Sequence, residues 1–174
     1  MTAPRAAFDG RRAVAPQRGV PLVAVDANAL DRTGSPRDAL VDAFRAEVAA
    51  GRVRLFVPSG VLAEMRDPGA PAAVRDAALD LPPPPRAAPL TARQHIDRIR
   101  VRAIMRGDGR PGKHDADAAH LSEAAEAGCD AFLTRDGKIL RKRDVLLQAL
   151  PSGPRIATLD DFLSGLAPDR AGPR

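Results

Sequence analysis

Short apolar runs separated by longer stretches of helical periodicity constrain the fold of this chain most strongly. The run PLVAV (Pro21 to Val25) is rich in valine and stops at Asp26, as expected for a strand buried on both faces of a parallel sheet. Similar runs predict strands at Val53 to Val57, Ala131 to Thr134 and Arg155 to Ala157. Strands that alternate with helices predict an α/β domain with a parallel sheet covered on both faces.

The segments between these runs carry apolar residues at helical spacing. We interpret Ser59 as the N-cap of the helix after the second strand, which ends before Asp67. A minor strand is predicted at Leu79 to Leu81, and the run Pro82 to Pro85 cannot lie inside a helix or a central strand. Further helices are predicted over Arg37 to Ala50, Ala72 to Leu79, Thr91 to Arg106, Asp115 to Ala127, from beyond Asp136 to Leu150, and over Leu159 to Leu166.

The size and composition of the chain predict one domain. Its 174 residues, 44% hydrophobic, suffice for a single core. We expect a flexible basic N-terminal tail over residues 1–20, the folded domain over 21–166 and a disordered C-terminal tail over 167–174. The one cysteine, Cys129, predicts a buried thiol in a reducing, cytoplasmic setting. No stretch approaches the roughly 18 apolar residues of a spanning helix, so we expect no membrane association.

The charge balance favours a phosphate-rich partner. Lys and Arg number 27 against 22 Asp and Glu, a net charge of +5. His95, Arg98, Arg102 and Arg106 recur every three or four residues on one predicted helix. We interpret Arg98, Arg102 and Arg106 as RNA-binding, and a solvated helix face is the alternative.

Four acidic residues fall near the carboxyl ends of the predicted strands, where open α/β sheets bind ligands. Asp26 ends the first strand, Glu64 lies in the helix after the second, and Asp117 and Asp136 flank the third. Each has a plain structural alternative: a strand end for Asp26, a solvated position for Glu64, and helix capping for Asp117 and Asp136, although Asp115 is better placed to cap than Asp117. Together they favour a hard cation such as Mg²⁺ or Mn²⁺, because converging carboxylates repel one another.

Four segments carry these acids in a characteristic order. They are VDANAL (Val25 to Leu30), VPSGVLAEM (Val57 to Met65), DAAHL (Asp117 to Leu121) and FLTRDGKIL (Phe132 to Leu140). Their order and spacing resemble the PIN-domain family. The resemblance covers about Pro21 to Leu166, and the chain is longer than a minimal member through its proline run and the segment up to Arg110.

The PIN resemblance implies a three-layer α/β/α sandwich and a Mg²⁺- or Mn²⁺-dependent endoribonuclease, commonly the toxin of a toxin-antitoxin pair. It implies RNA as substrate, an antitoxin as partner and a homodimer. The catalytic and metal-binding acids would be Asp26, Glu64, Asp117 and Asp136. Supporting positions would be Asn28, Thr134 and, as a cap or neighbour of the site, Asp115. We interpret His120, three residues after Asp117, as a packing or surface residue.

Two alternatives stay open from the sequence. A PIN-like fold could bind RNA or protein without cutting it, although all four acids are present. A haloacid-dehalogenase-like phosphatase would use Asp26 as nucleophile, but that family has a second aspartate where this chain has Asn28.

Overall fold

The chain folds around a sheet of parallel strands in a computed structural model that describes residues 19–79, 81 and 89–166. The strands are β1 (Leu22–Val25), β2 (Arg54–Phe56), β3 (Ala131–Leu133) and β4 (Arg155–Ala157). They lie in the order β2-β1-β3-β4, and every neighbouring pair is parallel. The predicted parallel sheet is therefore confirmed.

Helices occupy the connections between the strands. They are α1 (Asp38–Ala49), α2 (Ser59–Arg66), α3 (Ala72–Ala77), α4 (Ala92–Arg106), α5 (Asp115–Glu126), α6 (Gly137–Ala149) and α7 (Leu159–Leu166). The longest, α4, begins with a capping box in which Thr91 Oγ1 accepts a hydrogen bond from the Gln94 backbone N–H, and the Gln94 side chain accepts one from the Thr91 N–H. Lys142 of α6 donates to the last carbonyls of α4, which fixes the two helices side by side.

Two hydrophobic cores lie on opposite faces of the sheet, because successive side chains of a strand point to opposite sides. On one face, Val23 packs with Phe44 of α1 and Phe162 of α7, whose rings meet edge to face. On the other, Ala24 packs with Met105 of α4, and Leu121 of α5 belongs to the same cluster. Helices on both faces give the three-layer α/β/α arrangement that was expected.

The strand order creates a crevice between β1 and β3. From β1 the chain passes to β2 on one side and later returns to β3 on the other. At such a switch point the connections diverge beyond the carboxyl ends of the two strands and leave room for a ligand. Asp26 directly follows β1, and Thr134 directly follows β3, so both stand at this crevice.

Two local predictions are wrong. Leu79 lies in the turn after α3, where its N–H donates to the Asp76 carbonyl, and Leu81 lies in a bend, so neither residue lies in the strand predicted at Leu79 to Leu81. Ser59 is the first residue of α2 instead of its N-cap, which is Pro58.

Other predictions are confirmed or fall outside the described residues. Cys129 is buried, and burial raises the pKa of its thiol to about 12. The predicted tails and the run Pro82 to Pro85 lie outside the described residues, apart from Gly19 and Val20. Among the described helices, none combines the length and apolar character needed to cross a bilayer.

Candidate active site

Asp26 is a buried carboxylate at the switch point, with 6% of its surface exposed. Its Oδ1 accepts a hydrogen bond from the Ala27 N–H at 2.9 Å, and its Oδ2 accepts one from Thr134 Oγ1 at 2.8 Å. Burial alone would raise the pKa of Asp26, but the interaction with His120 and the hydrogen bonds from Thr134 and Ala27 outweigh it and hold the pKa below its usual value. Asp26 is therefore ionised in spite of its burial.

Thr134 connects Asp26 to Asp136. Its hydroxyl donates to Asp26 Oδ2 and accepts the Asp136 N–H at 3.0 Å. Asp136 is the N-cap of α6, because its Oδ1 accepts from the Lys138 N–H at 2.6 Å. Asp136 therefore caps α6 through its Oδ1, as the capping alternative expected. Its backbone N–H is also connected to the buried carboxylate of Asp26 through the Thr134 hydroxyl.

His120 of α5 is the residue that the sequence interpretation missed. Its side chain is 3% exposed, with Nδ1 3.7 Å from Asp26 Oδ1 and Nε2 3.6 Å from Glu64 Oε1. These separations exceed hydrogen-bond length, and Nδ1 has no hydrogen-bond partner among the described residues. Burial lowers the pKa of His120, but Asp26, Glu64 and Asp117 together outweigh it and raise the pKa above its usual value.

Glu64 and Asp117 approach the same histidine from different helices. The Glu64 side chain is 51% exposed, so it faces solvent on one side and the His120 ring on the other. The Asp117 side chain is 28% exposed, and its Oδ2 lies 3.1 Å from His114 Nδ1. Asp117 also contributes to the raised pKa of His120. His120 therefore brings three of the four predicted acids into one electrostatic group.

A contact between α2 and α5 positions Glu64. The Glu123 carboxylate of α5 accepts hydrogen bonds from the Ser59 N–H at 2.7 Å and from the Ser59 hydroxyl at 2.8 Å. A carboxylate at this point satisfies a free N–H at the helix start and complements the helix dipole. The cap of α2 therefore comes from α5, and it fixes the helix that carries Glu64 against the helix that carries His120.

Two arginines, Arg37 and Arg135, contact the loop after β1. Asn28 Oδ1 accepts the Arg135 N–H at 2.9 Å, which joins the loop after β1 to the loop after β3. Burial lowers the pKa of Arg37, and the positive charge of Arg135 lowers it further. Arg37 Nη1 is buried without a hydrogen-bond partner among the described residues. Asn28, expected as a supporting residue, thus links the loops after β1 and β3 through the Arg135 backbone. Arg37 Nη2 donates to the Ala29 carbonyl in the first of these loops at 3.3 Å.

The remaining predicted site residues lie on α4, which carries the three arginines, and on α5, which carries Asp115. Asp115 does not cap its helix, whose N-cap is His114, and its carboxylate lies 3.6 Å from Arg102. Arg98 makes a two-pronged pair with Glu126, at 2.6 and 2.8 Å. Arg106 is exposed. Two of the three arginines predicted to bind RNA are thus engaged in ion pairs within the chain.

A signal for His120 was present in the sequence. It follows Asp117 by three positions, which places both on one side of a helix, and it precedes the buried Leu121.

Within residues 19–79, 81 and 89–166, no three His, Cys, Asp or Glu side chains are grouped tightly enough to hold one metal ion. Comparison of the chain with models of known families, with characterised proteins and with solved structures finds no significant match.

Proposed function

We propose that this chain is a PIN-like endoribonuclease that uses Mg²⁺ or Mn²⁺ to hydrolyse RNA phosphodiester bonds. The observation that carries the proposal is the state of Asp26, a buried carboxylate kept ionised at the switch point of the sheet. Burying an ionised carboxylate is costly, and such groups are concentrated at functional sites. Glu64 and Asp117 lie close enough to act electrostatically on the same histidine as Asp26.

The donor atoms around Asp26 suit a hard divalent cation. Each Asp26 oxygen accepts one hydrogen bond in the described structure, and a carboxylate oxygen has a second lone pair to offer. Asp26, Glu64, Asp117 and Asp136 would hold the ion through oxygen, which Mg²⁺ and Mn²⁺ prefer. Their side chains would have to close around the ion, because in the described residues no three of them are grouped tightly enough to bind one. Bound there, the ion would polarise the scissile phosphate and lower the pKa of a water molecule.

Arg37 and Arg135, which contact the loop after β1, would supply the complementary part of a phosphodiester site. Arg135 is exposed, and Arg37 keeps a buried guanidinium N–H without a partner among the described residues. Guanidinium groups recognise phosphate through paired N–H donors. With five Phe, no Tyr and no Trp in the whole chain, stacking on bases is a minor source of affinity. Contacts to the sugar-phosphate backbone are therefore expected to dominate.

His120 acts in this proposal as a positioning residue. Its ring lies between Asp26 and Glu64, and in its protonated form, which the raised pKa favours, it reduces their mutual repulsion before a metal ion binds. It also fixes the spacing between α2 and α5. The substitution His120→Ala is expected to weaken metal binding by disturbing both carboxylates, and His120→Gln is expected to preserve more of the spacing.

The test is cleavage of a fluorescently labelled single-stranded RNA by the purified chain. Cleavage is expected with Mg²⁺ or Mn²⁺, absent with EDTA, and reduced by at least about a hundredfold in Asp26→Asn, since the buried carboxylate would be lost as a metal ligand. Asp144→Asn is the matched control, because Asp144 lies on α6 with 86% of its side chain exposed.

Two results would reject the nuclease proposal. One is the absence of cleavage with every divalent metal while the protein is folded and binds RNA. The other is equal cleavage by the wild type, Asp26→Asn and Asp144→Asn, which would point to a contaminating enzyme. Turnover of a small phosphomonoester with an aspartyl-phosphate trapped on Asp26 would favour the phosphatase alternative instead.

A non-catalytic RNA- or protein-binding module is the second candidate, and the position of His120 is the observation that favours it. A protonated imidazole between Asp26 and Glu64 compensates these acids without any metal. In that case Asp26→Asn would lower the stability of the fold but leave RNA affinity unchanged. If the chain is a nuclease, Asp26→Asn is instead expected to reduce RNA cleavage far more than it reduces the stability of the fold.

The role of a toxin with an antitoxin partner extends the proposal. Expression of the chain in a bacterial host is expected to arrest growth, whereas expression of Asp26→Asn is expected not to. Arrest by both forms would show toxicity unrelated to the site. Normal growth with the wild type, at verified expression, would count against the toxin role while leaving RNA cleavage in vitro as a separate question.

A further inference from the structure

The outward side of α4 carries a second apolar stripe, opposite the side that packs in the core. Its four exposed residues are Ala92, Ile96, Ile99 and Ala103. Ile96 is 47% and Ile99 68% exposed, whereas Val101 and Met105 on the opposite side are buried. A helix that covers a sheet needs one apolar side, so packing among residues 19–79, 81 and 89–166 leaves the outer stripe unexplained.

The spacing of the stripe is that of a coiled-coil seam. Its members follow one another at intervals of four, three and four residues, the alternation that keeps one narrow line of side chains facing a partner helix. Ile96 and Ile99 then occupy adjacent a and d positions, with Ala92 and Ala103 at the positions before and after them. Bulky residues in the middle and small ones at the ends favour a short, close contact with one helix.

Basic residues flank the stripe on both sides. Arg93 and Arg100 occupy the e positions, and His95 and Arg102 the g positions. The three arginine side chains are between 54 and 61% exposed. All three arginines are paired within the chain, Arg93 and Arg100 with Asp97 and Arg102 with Asp115. More than half of each arginine side chain is nevertheless exposed, so a carboxylate of a partner can still reach these cations.

We propose that this side of α4 is a docking surface for an acidic amphipathic helix of another protein, with apolar residues at its own a and d positions and Glu or Asp beside them. In coiled coils the charges at e and g select the partner. Here every flanking charge is positive, so complementarity requires a negative partner.

The same charges argue against other occupants. In a pair with a second copy of α4, basic residues at the e and g positions would face one another in either orientation. The first 18 residues of the chain, with four arginines and one aspartate, are also basic. A membrane surface suits a wider apolar face with Phe, Trp or Leu, which this two-isoleucine stripe lacks. RNA would match the charges but leave the isoleucines uncovered.

The test is binding of two synthetic helical peptides to the full chain, measured by fluorescence anisotropy. Both peptides have three heptads with Ile or Leu at a and d; one has Glu at e and g, and the other has Lys. The Glu peptide is expected to bind, and the Lys peptide at least about tenfold more weakly because its charges repel those of α4. Ile96→Ser/Ile99→Ser is expected to weaken binding of the Glu peptide at least about tenfold. Val145→Ser is the matched control, since Val145 is an exposed apolar residue on α6.

Charge reversal provides the sharpest readout. Arg93→Glu/Arg100→Glu is expected to shift preference from the Glu peptide toward the Lys peptide. The proposal is overturned if neither peptide binds, if both bind equally, or if the Ile96→Ser/Ile99→Ser form binds like the wild type. It is also overturned if Ile96→Ser/Ile99→Ser abolishes self-association, binding to phosphatidylserine vesicles or RNA binding but leaves binding of the Glu peptide unaffected. The stripe would then serve a different occupant.

Discussion

The imidazole ring of His120 lies against Gly60, so closely that a Cβ atom added to Gly60 would stand 2.5 Å from His120 Nε2. The ring is buried, with Asp26 and Glu64 beside its two nitrogens, so it has little room to yield. The absence of a side chain at Gly60 therefore allows α2 to approach α5. This approach brings Glu64, one turn further along α2, to 3.6 Å from the ring.

Gly60→Ala is expected to destabilise the fold by about 1–3 kcal/mol, because the added methyl group overlaps a confined ring. In a His120→Ala background the same change is expected to be neutral or to stabilise by up to about 1 kcal/mol, since alanine is the better helix former. Urea unfolding of the four proteins of this cycle measures the coupling. Gly165→Ala in α7, where the nearest atom is an Arg155 nitrogen at 3.7 Å, is the matched control and is expected to cost little in either background.

Thr134→Val is expected to cost about 1–3 kcal/mol, because it removes a buried hydroxyl that serves both Asp26 Oδ2 and the Asp136 N–H. Valine has nearly the same shape, so the loss reports the hydrogen bonds. Chemical denaturation measures the effect, with Thr33→Val at an exposed position as the control. An equal, small loss in both variants would show that the Thr134 hydroxyl does not hold the buried carboxylate.

The stabilising effect of His120 is expected to fade as the pH rises in metal-free buffer. Its pKa is higher in the folded chain than its ordinary value of about 6.5, so folding binds the proton more tightly. This contribution is fully present below the unfolded pKa and is lost as the pH rises through the folded pKa. The wild type should therefore exceed His120→Gln in free energy of unfolding most near pH 6, and progressively less toward pH 9.

Urea unfolding in EDTA between pH 5.5 and 9 measures this difference. His95→Gln, at an exposed position on α4, is the control and should not reproduce the trend. Parallel curves for the wild type and His120→Gln, or an advantage of the wild type that grows with pH, would contradict a histidine held protonated by its acidic neighbours.

Arg98 is expected to be a structural residue more than an RNA contact, because both prongs of its guanidinium are occupied by Glu126. Arg98→Gln should lower stability by up to about 1 kcal/mol, a modest value because the pair is partly exposed, and leave RNA affinity nearly unchanged. Arg106→Gln should leave stability unchanged and weaken RNA binding several-fold at low salt. Equal losses of RNA affinity in the two variants would instead support the sequence-based prediction that Arg98, Arg102 and Arg106 all bind RNA.

The sequence predicts the sheet well because its signals are local. The run from Pro21 to Val25 is apolar throughout, as required for β1 in the centre of a covered sheet, and Asp26 marks its end. The parallel order follows from helices between strands. The minor strand at Leu79 to Leu81 was predicted from residue type alone, whereas Leu79 lies in the turn that closes α3.

The details of the site depend on contacts between distant segments, which no local pattern carries. Ser59 has the residue type of an N-cap, but the carboxylate that satisfies the start of α2 comes from Glu123 of α5. His120 is unremarkable in its own helix and gains its role from Asp26 and Glu64. Arg98 shares a spacing with Arg102 and Arg106, yet its pairing with Glu126 depends on the packing of α4 against α5.

The proposed nuclease requires the acids around Asp26 to bind a divalent cation at the switch point of the sheet. Anomalous X-ray scattering from crystals soaked in Mn²⁺ would locate such an ion, with Asp26→Asn crystals treated identically as the control. We expect an anomalous peak next to the Asp26 carboxylate in the wild type and none at that place in Asp26→Asn. A wild-type crystal without a peak there, at a Mn²⁺ concentration that supports RNA cleavage, would contradict it.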